Sequence, residues 1–178
     1  ILIDQNYSTN NIHMIGFSLS ANIAGLTGKK KKKKKIASII GKHNHIQYDH
    51  TNLKFSPKTN KTPGIDPPSI LFSYDKTQNR LSSNDAQVVE VLHGSMFGFT
   101  EPIGHVDFYV NGGSHQAGSS PELGRCSHLK VLDIYEESIS SARGFVGAKC
   151  SDINAAKGKY CTDTRDQVKM GGVYPKNW

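Results

Sequence analysis

No stretch of the 178 residues holds the roughly 18 consecutive apolar side chains that a membrane-crossing helix needs, so no transmembrane segment is expected. No C-x-x-C pair occurs among the three cysteines, Cys126, Cys150 and Cys161, which excludes a zinc ribbon. No aromatic residues interleave the lysine run Lys29–Lys35, so nucleic-acid binding is not expected despite a formal net charge of +7. That charge is local. The seven lysines supply +7, and residues 42–64, with Lys42, Lys54, Lys58 and Lys61 against Asp49, supply +3, which leaves the remainder at −3. Like-charge blocks of this kind are solvated rather than part of a folded body. No signal peptide is visible. The chain opens Ile1-Leu2-Ile3 without a methionine and is expected to be part of something longer, so this carries no information about compartment. A hydrophobic fraction of 36% is low, yet the length suffices for one domain with a real core.

What is present begins with a sharp pattern. Ile12–Phe17 reads as a buried strand. Gly16-Phe17-Ser18-Leu19-Ser20 follows, and Leu19–Thr27 reads as a helix with Ala21, Ala24 and Gly25 on one small face, ended by Gly28. A strand that turns at once into a helix presents the apex serine outward, as in a nucleophile elbow. Ile36–Ile40 is β-branched and apolar, a second buried strand.

The pattern then breaks. Residues 42–64 show no period and few apolar side chains, and order resumes at Ile65-Asp66-Pro67-Pro68. With 42–64 removed, Ala37-Ser38-Ile39-Ile40-Gly41 runs directly into Ile65-Asp66 as one strand ending in an acid. Residues 42–64 are therefore read as a disordered insertion. Gly41-Lys42 and Pro63-Gly64 can be encoded by sequences matching common intron boundaries, so a retained intron is the favoured explanation and a surface loop the alternative. His43, His45 and His50 within it lack the surrounding order that a metal site needs.

Further on, Asp85–His93 reads as a short helical turn passing into a strand, and Gly104–Gly113 as a strand with a glycine-rich stop. Cys126-Ser127-His128 precedes a helix over Leu129–Ile139, and the tail from Ala142 is rich in Gly and Lys. Cys150 and Cys161 enclose a short polar loop and read as a disulfide of an oxidising compartment. The sequons at Asn6 and Asn60 are compatible with secretion. His93 and His105 are read as structural partners of the sheet, Phe108 and Tyr109 as core, and Asp107 as a local cap or hydrogen-bond acceptor.

An elbow serine, a strand-terminal acid and a later histidine thus occur in the order Ser18, Asp66, His128, which is the α/β-hydrolase order. A serine hydroxyl is a poor nucleophile until a base takes its proton, and that base needs an acid to hold its tautomer. His128 and Asp66 are the candidates for those roles. The Leu19 backbone N–H is the candidate oxyanion donor.

Gly-Phe-Ser-Leu-Ser-Ala, Ile-Asp-Pro-Pro, Asp-Ala-Gln-Val-Val, Gly-His-Val-Asp-Phe-Tyr-Val-Asn-Gly-Gly and Cys-Ser-His-Leu-Lys, in that order, resemble the motifs of the pancreatic-type lipase family, closest to arthropod lipases and phospholipases A1. The resemblance covers Ile12 to Met170 apart from the insertion. It implies a single α/β-hydrolase domain over 1–178, with a mostly parallel central sheet, flanking helices and the N-terminal strands missing. It implies Ser18, Asp66 and His128 as a catalytic triad. The expected function is secreted, extracellular hydrolysis of lipid or phospholipid esters at a membrane or lipid surface. The alternative is an inactive lipase-like protein that binds lipid or serves in storage or interaction. Ser20 stands where the family has glycine, and Ser119 where it has the first cysteine of the lid loop, which leaves Cys126 alone. The lid is about six residues long, as in the phospholipase branch. Family members bind calcium near Arg80–Asp85, where this chain keeps one carboxylate, Asp85; no cofactor and no metal ligand is expected.

Overall fold

The computed structural model describes residues 12–30, 38–40, 62–119, 124–161 and 163–171. The lysines 31–35, the sequon asparagines, the three histidines of the insertion and most of the lid fall outside them.

Strand β1 spans His13–Phe17 and passes through Ser18 into helix α1, Leu19–Lys30. Strands β2 (Ser38–Ile40), β3 (Thr62–Ile65), β4 (Val89–His93) and β5 (Val106–Tyr109) complete a parallel sheet in the order β2-β1-β3-β4-β5. Helix α2 spans Arg125–Ser140, and strand β6 (Phe145–Lys149), helix α3 (Ile153–Gly158) and strand β7 (Asp163–Met170) form the C-terminal part. Strands β6 and β7 pair antiparallel in a separate two-stranded sheet.

Strand β4 is buried at every position, as a central parallel strand covered on both faces must be. Side chains alternate along it, so Val89 and Val91 face one layer and Glu90 and Leu92 the other. The first layer packs with Ala21 of α1, Leu81, Ala86, Phe99 and Ile103. The second packs with Phe17, Ile65, Val131 and Tyr135 of α2, and Met170. Each fully buried valine or leucine contributes roughly 1.5–3 kcal/mol. Glu90 is fully buried among them, and its Oε1 accepts the Gly171 N–H at 2.9 Å, which ties the end of β7 to the middle of the sheet.

Three expectations change. Residues Ile36–Ile40 and Ile65-Asp66 do not form one strand. Strand β2 lies on one side of β1 and β3 on the other, both parallel to it, so the two segments are separate strands and the chain must cross over between them. Thr62, Pro63 and Gly64 belong to β3, so the insertion expected over 42–64 does not reach its expected end; its remainder lies outside the described residues. Gly28 does not end α1. It is a buried helical residue, and the helix gains a last turn carrying Lys29 and Lys30, which suit its negative dipole end.

The tail from Ala142, which offers only Gly and Lys in abundance, is more ordered than its composition suggests. The Cys150–Cys161 disulfide forms as expected and closes the segment that contains α3. Asp152 caps that helix, accepting the Asn154 and Ala155 N–H groups at 2.8 and 2.9 Å.

Candidate active site

Ser18 sits at the C-terminal end of β1 with φ +54°, a left-handed backbone that a residue with a side chain adopts only under local constraint. Its N–H donates to the Ile65 carbonyl at 3.0 Å, and its carbonyl accepts the Ala21 N–H at 3.0 Å. The turn is thus clamped to the neighbouring strand on one side and to the first helical turn on the other. Ser20, in the position where a glycine would give the tightest turn, fits because its hydroxyl donates back to the Phe17 carbonyl at 2.7 Å. Leu19 opens α1, where backbone N–H groups have no acceptor within the helix.

Asp66 occupies the same place one strand over, directly after β3. It also has a positive φ, +44°, and its N–H donates to the Leu92 carbonyl at 2.7 Å. The carboxylate is fully buried and fully engaged. Its Oδ1 accepts the N–H groups of Gly94 and Ser95 at 3.0 and 3.1 Å, while Oδ2 accepts the Ser95 hydroxyl and His128 Nδ1, the latter at 2.5 Å. Gly98 leaves room for it, since a Cβ there would stand 2.6 Å from Asp66 Oδ1. A carboxylate can only accept, so Nδ1 carries a proton, and in the neutral imidazole Nε2 keeps the lone pair.

His128 lies in the first turn of α2, its N–H donating to the Gly124 carbonyl at 2.9 Å. The helix begins before the histidine rather than after it, which corrects the expected loop placement. The ring packs against Phe17, beside the elbow, at 4.5 Å between centroids, and edge-on against Phe97 at 5.8 Å. Behind the ring, Nδ1 meets Asp66 Oδ2 at 2.5 Å and, at a longer 3.4 Å, the Ser95 hydroxyl. Among the described residues the Ser18 hydroxyl makes no hydrogen bond to the imidazole; in enzymes without substrate such bonds are commonly long and tighten on binding. An imidazole held in one tautomer by a carboxylate can take a proton from a hydroxyl that reaches its free nitrogen.

Ser95, at the C-terminal end of β4, escaped the sequence reading. Open α/β sheets place their sites at the C-terminal ends of strands, and that rule applied to β4 would have pointed to it. His93 and His105 do act within the sheet. His93 Nε2 meets Asp107 Oδ1 at 2.8 Å and its Nδ1 meets the Phe99 carbonyl at 2.7 Å, while His105 Nδ1 accepts the Val89 N–H at 2.9 Å. Asp107 also accepts the Ile103 N–H at 2.9 Å, the local bonding expected of it. A cavity of about 570 Å³ lies between β5, α2 and the β6–β7 pair, lined by Phe108, Val110, Ile134, Phe145 and Met170 among others. It shares no lining residue with the cluster around His128. Among the described residues no helix is long and apolar enough to cross a membrane.

A parallel sheet with an elbow serine after one strand, an acid after the next and a histidine further on defines an α/β-hydrolase domain. The chain belongs to the lipase family, whose model matches residues 1–176. It is 26% identical to lipase member H-A of Xenopus laevis over 99% of its length, 29% identical to human lipoprotein lipase over 90%, and 27% identical to pancreatic lipase-related protein 2 of Cavia porcellus over 88%. It spans about a third of the length of these relatives, between 32% and 36%.

Proposed function

We propose that this chain carries the catalytic centre of a secreted serine carboxylic-ester hydrolase acting on lipids, with Ser18 as nucleophile, His128 as general base and acid, and Asp66 as the orienting carboxylate. The observation that carries the reading is the 2.5 Å hydrogen bond from His128 to the buried Asp66 carboxylate, together with the positive-φ turn at Ser18. In the first half-reaction His128 Nε2 takes the proton from Ser18 Oγ as the oxygen attacks the ester carbonyl. The tetrahedral oxyanion takes a hydrogen bond from the Leu19 N–H. His128, held as imidazolium by Asp66, then gives its proton to the leaving alcohol, and an acyl group remains on Ser18. Water, deprotonated by the same imidazole, releases the fatty acid.

A lipid substrate is supported by the surroundings as well as by the names of the relatives. Leu19, Ile23, Met96 and Leu129, each within five residues of Ser18, Ser95 or His128, are large apolar side chains left exposed. Ile70 and Leu71, shortly after Asp66, are 78% and 77% exposed. Exposed apolar side chains around a polar centre suit a water–lipid boundary. Phospholipase A1-type specificity is the finer reading, motivated by the short lid. Secretion is supported by the Cys150–Cys161 disulfide, a bond of oxidising compartments.

The test is turnover of a short-chain nitrophenyl ester by the full-length protein beside its Ser18→Ala form. Loss of all but background turnover in Ser18→Ala is expected. Equal rates would end the enzyme reading and leave a lipid-binding or interaction role.

A further inference from the structure

The final turn of α1 folds one lysine of the basic run back into the protein. Lys29 Nζ lies 2.5 Å from each oxygen of the Asp85 carboxylate, 2.7 Å from the Arg80 carbonyl oxygen and 3.4 Å from the Ser82 hydroxyl. Its ammonium donors therefore meet a carboxylate, a carbonyl and a hydroxyl of one short loop. The Asp85 side chain is fully buried and that of Lys29 only 22% exposed. Asp85 also closes its own loop, accepting the Ser82 N–H at 2.9 Å and the Ser82 hydroxyl at 3.1 Å.

The helix is built to come this close. A Cβ on Gly25, one turn before Lys29, would stand 2.7 Å from Asp85 Oδ2 and 2.7 Å from Leu81 Cα. One turn earlier again, Asn22 Oδ1 accepts the Leu81 N–H at 3.0 Å. Asn22, Gly25 and Lys29 thus form a single face of α1 that is fitted to residues 80–85.

The family resemblance places calcium near this loop, and the residues present do not suit that ion. Calcium takes about six to eight oxygens at about 2.3–2.6 Å, several of them carboxylate. This loop offers one carboxylate, and the point on which its oxygens converge holds Lys29 Nζ. We infer that Lys29 is a built-in cation of the 80–85 loop, whose ammonium, in place of a divalent ion, neutralises Asp85 and fastens the loop to the helix that carries the elbow. Burial pushes the Asp85 carboxyl above the usual carboxylate range, and hydrogen bonding and attraction from Lys29 are the main forces opposing that rise.

This inference does not depend on the ester-hydrolase reading, and its readout is thermal unfolding, so either can fail without the other. The melting temperature of the 178-residue chain is compared in millimolar calcium chloride and in EDTA. The two should coincide; a calcium-specific rise of about 4 °C or more, a shift well above scatter for a domain of this size, overturns the proposal. The pairing is then read from Lys29→Met, Asp85→Asn and the double variant. Each single change should lower the melting temperature, and the double change should lower it by less than the sum of the two. Strict additivity overturns the proposal. If Lys29→Met yields no folded protein, the calcium comparison on the unaltered chain decides by itself.

Discussion

The parallel sheet and the C-terminal β6–α3–β7 segment are stabilised by different physics. In the sheet, order comes from burial. Strand β4 has no exposed position, and the polar groups it buries, Glu90 and His93, both find buried or half-buried partners. In the C-terminal segment, β6 leaves Phe145 and Val146 exposed, and the ion pairs Lys149–Asp166 and Arg165–Asp163 stand at the surface, where such pairs contribute little. Apart from the anchor at the end of β7, where Met170 enters the core and Gly171 bonds Glu90, what holds that segment is a covalent link and a helix cap. A change in the sheet is therefore felt by the whole domain and by the site at its strand ends, whereas a change in the C-terminal segment away from Met170 and Gly171 should stay there.

The largest expected effect tests the site on the sheet. Asp66→Asn keeps the shape but leaves His128 Nδ1 beside an amide that can present a donor, and kcat/KM for a nitrophenyl ester should fall about 10,000-fold. A fall of less than about tenfold would remove Asp66 from the mechanism. Next comes the packing of the strand end itself. A Cβ at Gly94 would stand 2.0 Å from Val131 Cγ2. Gly94→Ala should therefore cost about 3 kcal/mol by overpacking, read as a lower melting temperature with one cooperative transition. The smallest effect belongs to the other region. Replacing Cys150 and Cys161 by serine should cost about 2–3 kcal/mol, given a sequence separation of 11. Hydrogen exchange should speed up in residues 145–149 and 163–170 while the amides of Val89–His93 keep their protection. Equal loss of protection in β4 would mean that the two regions unfold as one and that the contrast drawn between them is wrong.

The residues that made the site legible were those with strong local constraints. Ile12–Phe17, followed by a serine and a run of small residues, could hardly be other than a strand, a turn and a close-packed helix. Cys150 and Cys161 were near enough in sequence to identify each other. The failures share a cause as well. Gly28 reads as a stop in any local scheme, but a tertiary contact, Lys29 with Asp85, carries the helix past it. Strands β2 and β3 looked like one because Thr62-Pro63-Gly64 carries no strand pattern, which left only Ile65-Asp66 of β3 to be joined to Ile36–Ile40; only their pairing on opposite sides of β1 separates them. Strands β6 and β7 have no clean alternation because neither face is wholly buried. Ser95 carries no motif, and its importance exists only through Asp66 and His128, 29 and 33 residues away.

The positive φ angles at Ser18 and Asp66 also limit which replacements these positions can accept, whatever the chemistry. Threonine, an equally good alcohol on paper, is β-branched and poorly suited to a left-handed backbone. At Ser18 it would be handicapped by its shape before its hydroxyl met any substrate. Asparagine and glycine tolerate that backbone well but bring no nucleophile. For Asp66, a residue comfortable in its place is asparagine, which reverses the polarity that the role proposed for His128 requires. Under the proposed mechanism, the routes open to single substitutions at these strand ends therefore lead toward a well-folded, silent protein more readily than toward a different chemistry.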